Sequence, residues 1–273
     1  MDRDGEQEVL GGYRLETLVD KGGMGEIWRA VDVAAERVVA VKRLKLGRQA
    51  EQDRQRLVRE ARALDRIRHP AVVRYLDAGL DEEGEPYVAM EWLDGESLEQ
   101  RYNRDPLSLD EVLDLARQVL EGLAACHAQG IVHRDIKPGN LFLVSSDRLR
   151  MKLVDFGVAF FGEQLTRLTR SRELVGTLLY MSPEQATGKR EVDLRTDLYS
   201  LGVVLYQGVT GVVPFSGKNP LSVLFKITSE PLTRPGWLRR GLPDELERVI
   251  LRAMEREPAD RYQSAEEMLA ALD

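Results

Sequence analysis

The sequence predicts an α+β fold: an antiparallel, strand-rich N-terminal part with one helix, then a mostly helical C-terminal part. Three observations carry this. Tyr13–Asp20, Glu26–Val31 and Val38–Leu44 are strand-like stretches separated only by short turns, the spacing of antiparallel hairpins. One helical pattern, Glu51–Arg68, precedes two more strand-like runs, Val72–Asp77 and Pro86–Trp92. Beyond residue 94 apolar residues recur mainly at helical spacing.

The chain has 273 residues, enough for one large domain or two lobes around a cleft. Its 43% hydrophobic and 31% charged residues are an ordinary globular balance. A net charge of −7 offers no electrostatic footprint for nucleic acid. Cys126 is the only cysteine, which excludes an internal disulfide. No apolar run is long enough to span a membrane, and the opening MDRDGEQEV lacks the apolar core of a signal peptide. The expectation is a soluble, cytoplasmic protein with no nucleic-acid partner and no membrane segment.

Residues 1–12 are polar and read as a disordered tail. The turn DKGGMG, at 20–25, can expose backbone N–H groups that cradle phosphates. Gly-Gly turns also simply close hairpins, but the strand Val-Val-Ala-Val-Lys that follows strengthens the phosphate reading. Lys42 ends that run, either facing phosphates or as an exposed strand-end lysine. In the first helix Leu57, Ala61, Leu64 and Ile67 form an apolar stripe, and Glu60 sits on or beside it. A carboxylate there needs a partner. Lys42 is one candidate; Arg56 and Arg59 are the others.

His69-Pro70 ends this helix, and the DGES segment at 94–97 starts the next helical stretch. Leu109–Gln129 is strongly amphipathic, with Ser108 at its start and Gly130 at its end. Cys126 falls inside it as a packing residue. From Val158 to Tyr180 periodicity is lost, and Thr166, Thr169 and Ser171 alternate with Arg167, Arg170 and Arg172, as in a mobile loop. Leu194–Val209 is apolar on more than one face and reads as buried, so Asp197 within it needs bonds. Pro243–Glu255 and Ser264–Leu272 complete the helices.

The chemistry concentrates in His133–Gly157, HRDIKPGN LFLVSSDRLRMKL VDFG. Leu141–Val144 and Met151–Val154 read as a hairpin around a Ser-Ser-Asp turn. A hairpin returns its ends to one place, which gathers Asp135, Lys137, Asn140 and Asp155. Magnesium prefers carboxylate and amide oxygens, which Asp155 and Asn140 supply. Asp135 can orient a hydroxyl and accept its proton, and Lys137 can neutralise a moving phosphoryl group. A lone Asp-Phe-Gly would read as a capped turn; the whole string at this spacing suits phosphoryl transfer.

This segment resembles the catalytic and metal-binding loops of bacterial eukaryotic-type Ser/Thr protein kinases, and the resemblance extends over 13–273. It implies a bilobal protein-kinase-like fold, an N-lobe at 13–93 and a C-lobe at 94–273, with ATP in the cleft and Mg2+ as cofactor. It makes Asp135 the base, with Lys137 on the transferred phosphate, Asn140 and Asp155 on the metal, and Lys42, paired with Glu60, on the ATP phosphates. Gly22 and Gly25 match two of the three loop glycines, while Asp20 replaces the first. Ile27, Ala40 and Phe142 would sandwich adenine, Met90 would back it, and the backbone of Glu91 and Leu93 would bond it.

The same resemblance implies that Arg134 binds a phosphate on the 158–180 loop, at Thr169 or Ser171, and that Thr177 then sits beside Asp135 and Lys137. It implies that Asp197 holds the His-Arg-Asp loop and that Arg261 pairs with Glu184. The expected reaction is transfer to Ser or Thr of protein substrates, with autophosphorylation through a transient dimer. Two alternatives stand beside it: a pseudokinase scaffold, for which Asp20 argues, and a small-molecule kinase, against which Glu184 and Arg261 argue.

Overall fold

The N-terminal strands pair side by side because each must satisfy its backbone N–H and C=O groups on a neighbour. Strands β1 (Val9–Leu10), β2 (Tyr13–Gly22), β3 (Gly25–Asp32), β4 (Arg37–Leu44), β5 (Tyr75–Leu80) and β6 (Pro86–Glu91) run antiparallel in the order β1-β2-β3-β4-β6-β5. Leu15, Ala30, Val39, Val41 and Ala89 pack together on one face, with Trp28 against them, and Ala40, Val88 and Met90 are buried on the other. Helix α1 (Glu51–Leu64) packs against β5 and β6. The computed structural model describes residues 8–22, 25–44, 51–145, 149–156, 173–188 and 192–272. It divides into two units, Met1–Arg68 with Val73–Asp94, and His69–Val72 with Gly95–Asp273.

Three expectations are corrected in the first unit. The tail through residue 12 is not wholly disordered: Leu10 pairs with Tyr13 and is buried, while residues 1–7 lie outside the described ones. Helix α1 stops at Leu64, short of Arg68. The amides of Asp65, Arg66 and Ile67 bond three residues back instead of four, a 3₁₀ tightening ahead of His69-Pro70. The strand read from Val72 begins at Tyr75; Val72 instead bridges Leu153 within the second unit.

In the second unit β7 (Gly95–Ser97), β8 (Leu141–Val144) and β9 (Arg150–Leu153) form a small sheet. Leu141 lies opposite Leu153, as the hairpin reading requires. Gly95 has φ 153°, and a Cβ there would sit 2.0 Å from the Leu143 carbonyl oxygen, so glycine is required. The DGES segment is therefore a strand handing over to a helix, rather than helix from its start. Ser97 caps α2 (Leu98–Arg104) through a capping box with Gln100, and Ser108 caps α3 (Leu109–His127) with Glu111.

The remaining helices are α4 (Glu173–Leu178), α5 (Pro183–Ala186), α6 (Arg195–Thr210), α7 (Pro220–Ser229), α8 (Pro235–Leu238), α9 (Asp244–Ala253) and α10 (Ala265–Ala270). Helix α6 is buried on nearly all sides, as its all-round apolar pattern demands. It packs against α3 and α9. The expected mobile loop is corrected at its end, since 173–178 are helical. Residues 157–172, with Thr169 and Ser171, lie outside the described ones. Among the described residues no helix is long and apolar enough to cross a membrane.

Candidate active site

The hairpin brings the four predicted polar residues into one neighbourhood. The Val154 amide donates to the Asn140 carbonyl at 3.0 Å, so Asp155 follows directly on a residue anchored to Asn140. Asn140, 5% exposed, donates from Nδ2 to the Asp135 carbonyl and to Asp135 Oδ2, both at 2.8 Å. Lys137 Nζ lies 2.9 Å from the same Oδ2 and donates to Thr177 Oγ1 at 2.9 Å. Two donors thus converge on one oxygen of Asp135. Its other oxygen, Oδ1, takes neither of these contacts. Thr177 reaches Lys137 from α4.

The loop that carries Asp135 is strained and held from behind. Arg134 has φ 65° and Asp155 φ 54°, left-handed conformations that cost a non-glycine residue about 1–2 kcal/mol. Asp197, fully buried in α6, offsets this: Oδ1 accepts the Arg134 amide at 2.7 Å and Oδ2 the His133 amide at 2.8 Å. His133 itself is fully buried, and burial pulls its pKa down despite neighbouring carboxylates. Neutral, it donates from Nε2 to Val154 O at 3.0 Å and accepts the Asp135 amide at Nδ1 at 3.3 Å. Its ring stacks on Phe156 with centroids 4.4 Å apart. That makes it a packing and orienting group for both loops.

Two supports were not legible in the sequence. His127, at the end of α3, has Nε2 2.9 Å from Asp197 Oδ2, and both side chains are buried. Nothing in an i-to-j spacing of seventy residues announces that pair. His127→Leu should lower stability by about 1–3 kcal/mol by removing a buried donor from Asp197. His127→Gln, which keeps a donor, should lose less; denaturant midpoints of the two variants compare them directly. The second support is Gln185, whose Nε2 donates to the Arg134 carbonyl at 2.8 Å. Gln185 is also the capping-box partner of buried Ser182, so the turn at 182–186 is tied to the catalytic-type loop.

Glu184 and Arg261 meet as the sequence expected. Nη1 and Nη2 of Arg261 donate to the two carboxylate oxygens at 2.8 and 2.7 Å. The carbonyls of Glu255, Arg195 and Arg256 take the other three donors, at 2.7, 3.1 and 2.9 Å. All five guanidinium donors are therefore satisfied at a site with no exposure. Burial pushes the Glu184 carboxyl up, but the Arg261 hydrogen bonds and charge outweigh it and hold the pKa below its usual value.

In the N-terminal unit strand register gathers the predicted nucleotide residues. Ile27 lies opposite Lys42, Lys42 opposite Val88, and Ala40 opposite Met90. These are the residues between the core-facing Val39, Val41 and Ala89, so they share the sheet's other face. Gly22 pairs with Gly25 at the turn. Gly25 has φ 148°, and a Cβ on it would lie 2.1 Å from the Arg43 carbonyl oxygen. Asp20 is exposed and pairs opposite Ile27, with Oδ1 accepting the Lys21 amide at 2.9 Å. Glu60 is half-buried on α1 among Val58, Ala61 and Leu64. Glu91 is held to Arg74 by its amide and by Oε1, at 2.9 and 2.8 Å, and Leu93 is half-buried beyond β6. Phe142 belongs to the other unit, on β8 beside Gly95.

Residues 13–271 match the family model described as the protein kinase domain. The chain is 39% identical to the serine/threonine-protein kinase pkn3 of Myxococcus xanthus, over 95% of this chain and 49% of that protein. It is 36% identical to the serine/threonine-protein kinase PknB of Mycobacterium leprae, over 95% of this chain and 42% of that protein. The chain thus spans about half the length of the curated relatives it matches. Among solved structures it resembles the PknI kinase domain of Mycobacterium tuberculosis, with a TM-score of 0.77, 26% identity and 98% of each chain covered. With the match covering nearly its whole length, this chain belongs to the protein kinase domain family.

Proposed function

We propose that this chain transfers the γ-phosphate of ATP to Ser or Thr hydroxyls of protein substrates, with 13–93 and 94–273 as its two functional parts. The observation that carries this reading is the Asp135 carboxylate with Oδ2 held by Lys137 and Asn140. Asp135 Oδ1 then receives the proton of the attacking hydroxyl. Lys137 Nζ, pinned between Asp135 and Thr177, lies where it offsets charge on the transferring phosphoryl group. Lys42, on the same sheet face as Ile27, Ala40 and Met90, serves the nucleotide phosphates, and Glu60 orients it.

The donor set fits magnesium. Both Nδ2 bonds of Asn140 go to Asp135, so its amide oxygen would be the atom to hold a cation, and Asp155 would add a carboxylate. Magnesium takes one or two protein oxygens and completes its shell with water and phosphate. When bound, the ion supplies charge neutralisation at the nucleotide phosphates. Incubating the purified chain with ATP, magnesium and a generic protein substrate should yield phosphoserine or phosphothreonine. Asp155→Ala should lose the magnesium-dependent thermal shift with ATP; a variant keeping the wild-type shift sinks the metal assignment.

Phosphorylation of Thr169 or Ser171, exchanged between two chains in a transient dimer, would switch this activity on. The support is Arg134, whose backbone is anchored by Asp197 and Gln185 beside Asp135, ready to meet a dianionic phosphate. Replacing both hydroxyl residues with Ala should leave initial rates low after preincubation with ATP. Rates equal to the wild type would dispose of the switch and leave Thr177 as a positioning residue only.

A further inference from the structure

Away from these loops the C-terminal unit holds an open-sided pocket of about 290 Å³. Phe215, Ile227, Leu251 and Met254 line it, with Tyr199 of α6 and Arg256. Tyr199 is 2% exposed, and its hydroxyl has no hydrogen-bond partner among the described residues. One face of its ring is covered by the Arg261 guanidinium, 4.9 Å from the centroid. The hydroxyl is not one of the fully buried polar atoms that lack a partner, so it keeps some contact with open space.

The lining narrows the chemistry of an occupant. Phe215 and the Met254 thioether favour an aromatic ring. The charges at the rim are mixed in sign, Glu230 and Glu255 beside Arg256, and Lys226 lies 3.5 Å from Glu230, so a net charge on the ligand gains little. The volume, about 290 Å³, falls just below the usual range of ligand cavities, which starts at about 300 Å³, so the occupant is small. We propose that this cavity binds a small, uncharged, planar aromatic molecule of about indole size, bearing one hydrogen-bonding group for the Tyr199 hydroxyl.

The cavity is also joined to the Glu184 anchor. Glu255 and Arg256, both in its wall, present the carbonyls that take Arg261 Nε and Nη2 at 2.7 and 2.9 Å. An occupant packed against that wall and against Tyr199 stiffens the support of the Arg261–Glu184 pair. The coupling is therefore carried by named hydrogen bonds and one stacked ring, with no contact to the catalytic-type loop needed.

Indole and indene test this, since they share a shape and only indole has an N–H. Indole should bind the purified chain with a Kd of about 1 mM or below and shift the methyl signal of Met254. Tyr199→Phe removes only an unpartnered hydroxyl, so the variant should fold, bind indole about five- to tenfold more weakly, and bind indene as the wild type does. Saturating indole should slow amide exchange at 182–186 in the wild type. Equal indole affinity in wild type and Tyr199→Phe, or no response at Met254, overturns the site and leaves a cavity filled by water only. Unchanged exchange at 182–186 overturns the coupling. None of these readouts uses catalytic activity, so they stand or fall separately from the kinase reading.

Discussion

Asp135→Asn should lower phosphoryl transfer by about 10²–10⁴-fold, the usual contribution of a positioned general base, while nucleotide affinity stays close to wild type. The amide has no basic oxygen to take the hydroxyl proton. It still presents an oxygen that accepts from Asn140 Nδ2 and Lys137 Nζ, the two partners of Oδ2. The loop should therefore keep its shape, and its backbone anchors on Asp197 do not involve the Asp135 side chain. Single-turnover rates with prebound ATP isolate the transfer step, and a nucleotide titration checks binding. Near-normal turnover would remove Asp135 from the role of base.

Arg261→Leu should destabilise the chain by about 3–5 kcal/mol, the cost of stranding a buried charge by deleting its partner. The variant leaves Glu184 at 5% exposure without its bidentate partner, and frees the carbonyls of Glu255, Arg195 and Arg256. The pH dependence has a definite sign. Arg261 holds the Glu184 carboxyl below its usual pKa. Its stabilisation is therefore full above the unfolded carboxyl's pKa and is lost as pH falls through the lower, folded value. In Arg261→Leu burial, the largest influence on Glu184, is opposed only by the hydrogen bonds of its own amide and of Ser182, so the pKa rises and a proton relieves the stranded charge. The gap between the two proteins should shrink from pH 7 toward pH 5. Urea midpoints at several pH values read this out, and a gap that widens on acidification contradicts the assignment. Adding Glu184→Gln should recover part of the loss at neutral pH.

Much of the fold was written in local patterns. Strand-like stretches between short turns made the N-terminal sheet legible, and helical spacing with Ser108 at the cap located α3 almost to the residue. The short elements were harder. Val9–Leu10 is only two residues and holds because Leu10 meets Tyr13 and the buried face. Gly95–Ser97 is a strand only because Phe142–Val144 offers an edge to pair with. Helix α7 buries just Val223 and Ile227 and leaves Leu221 and Phe225 exposed, so it has no full apolar stripe to detect.

The sequence by itself determined the chemical content of the site. Residue types at close spacing, Asp135, Lys137 and Asn140, with Asp155 returned by one hairpin, define which atoms can act, because the turn geometry that groups them is local. Tertiary structure decided how those atoms are held. Asp197 shares its two oxygens among the amides of His133 and Arg134 and the ring of His127. Gln185 bonds the Arg134 carbonyl from fifty-one residues away. Such bonds depend on α3, α5 and α6 arriving at one place. A sequence carries no distance for that, only the demand that a buried carboxylate and a strained backbone find partners.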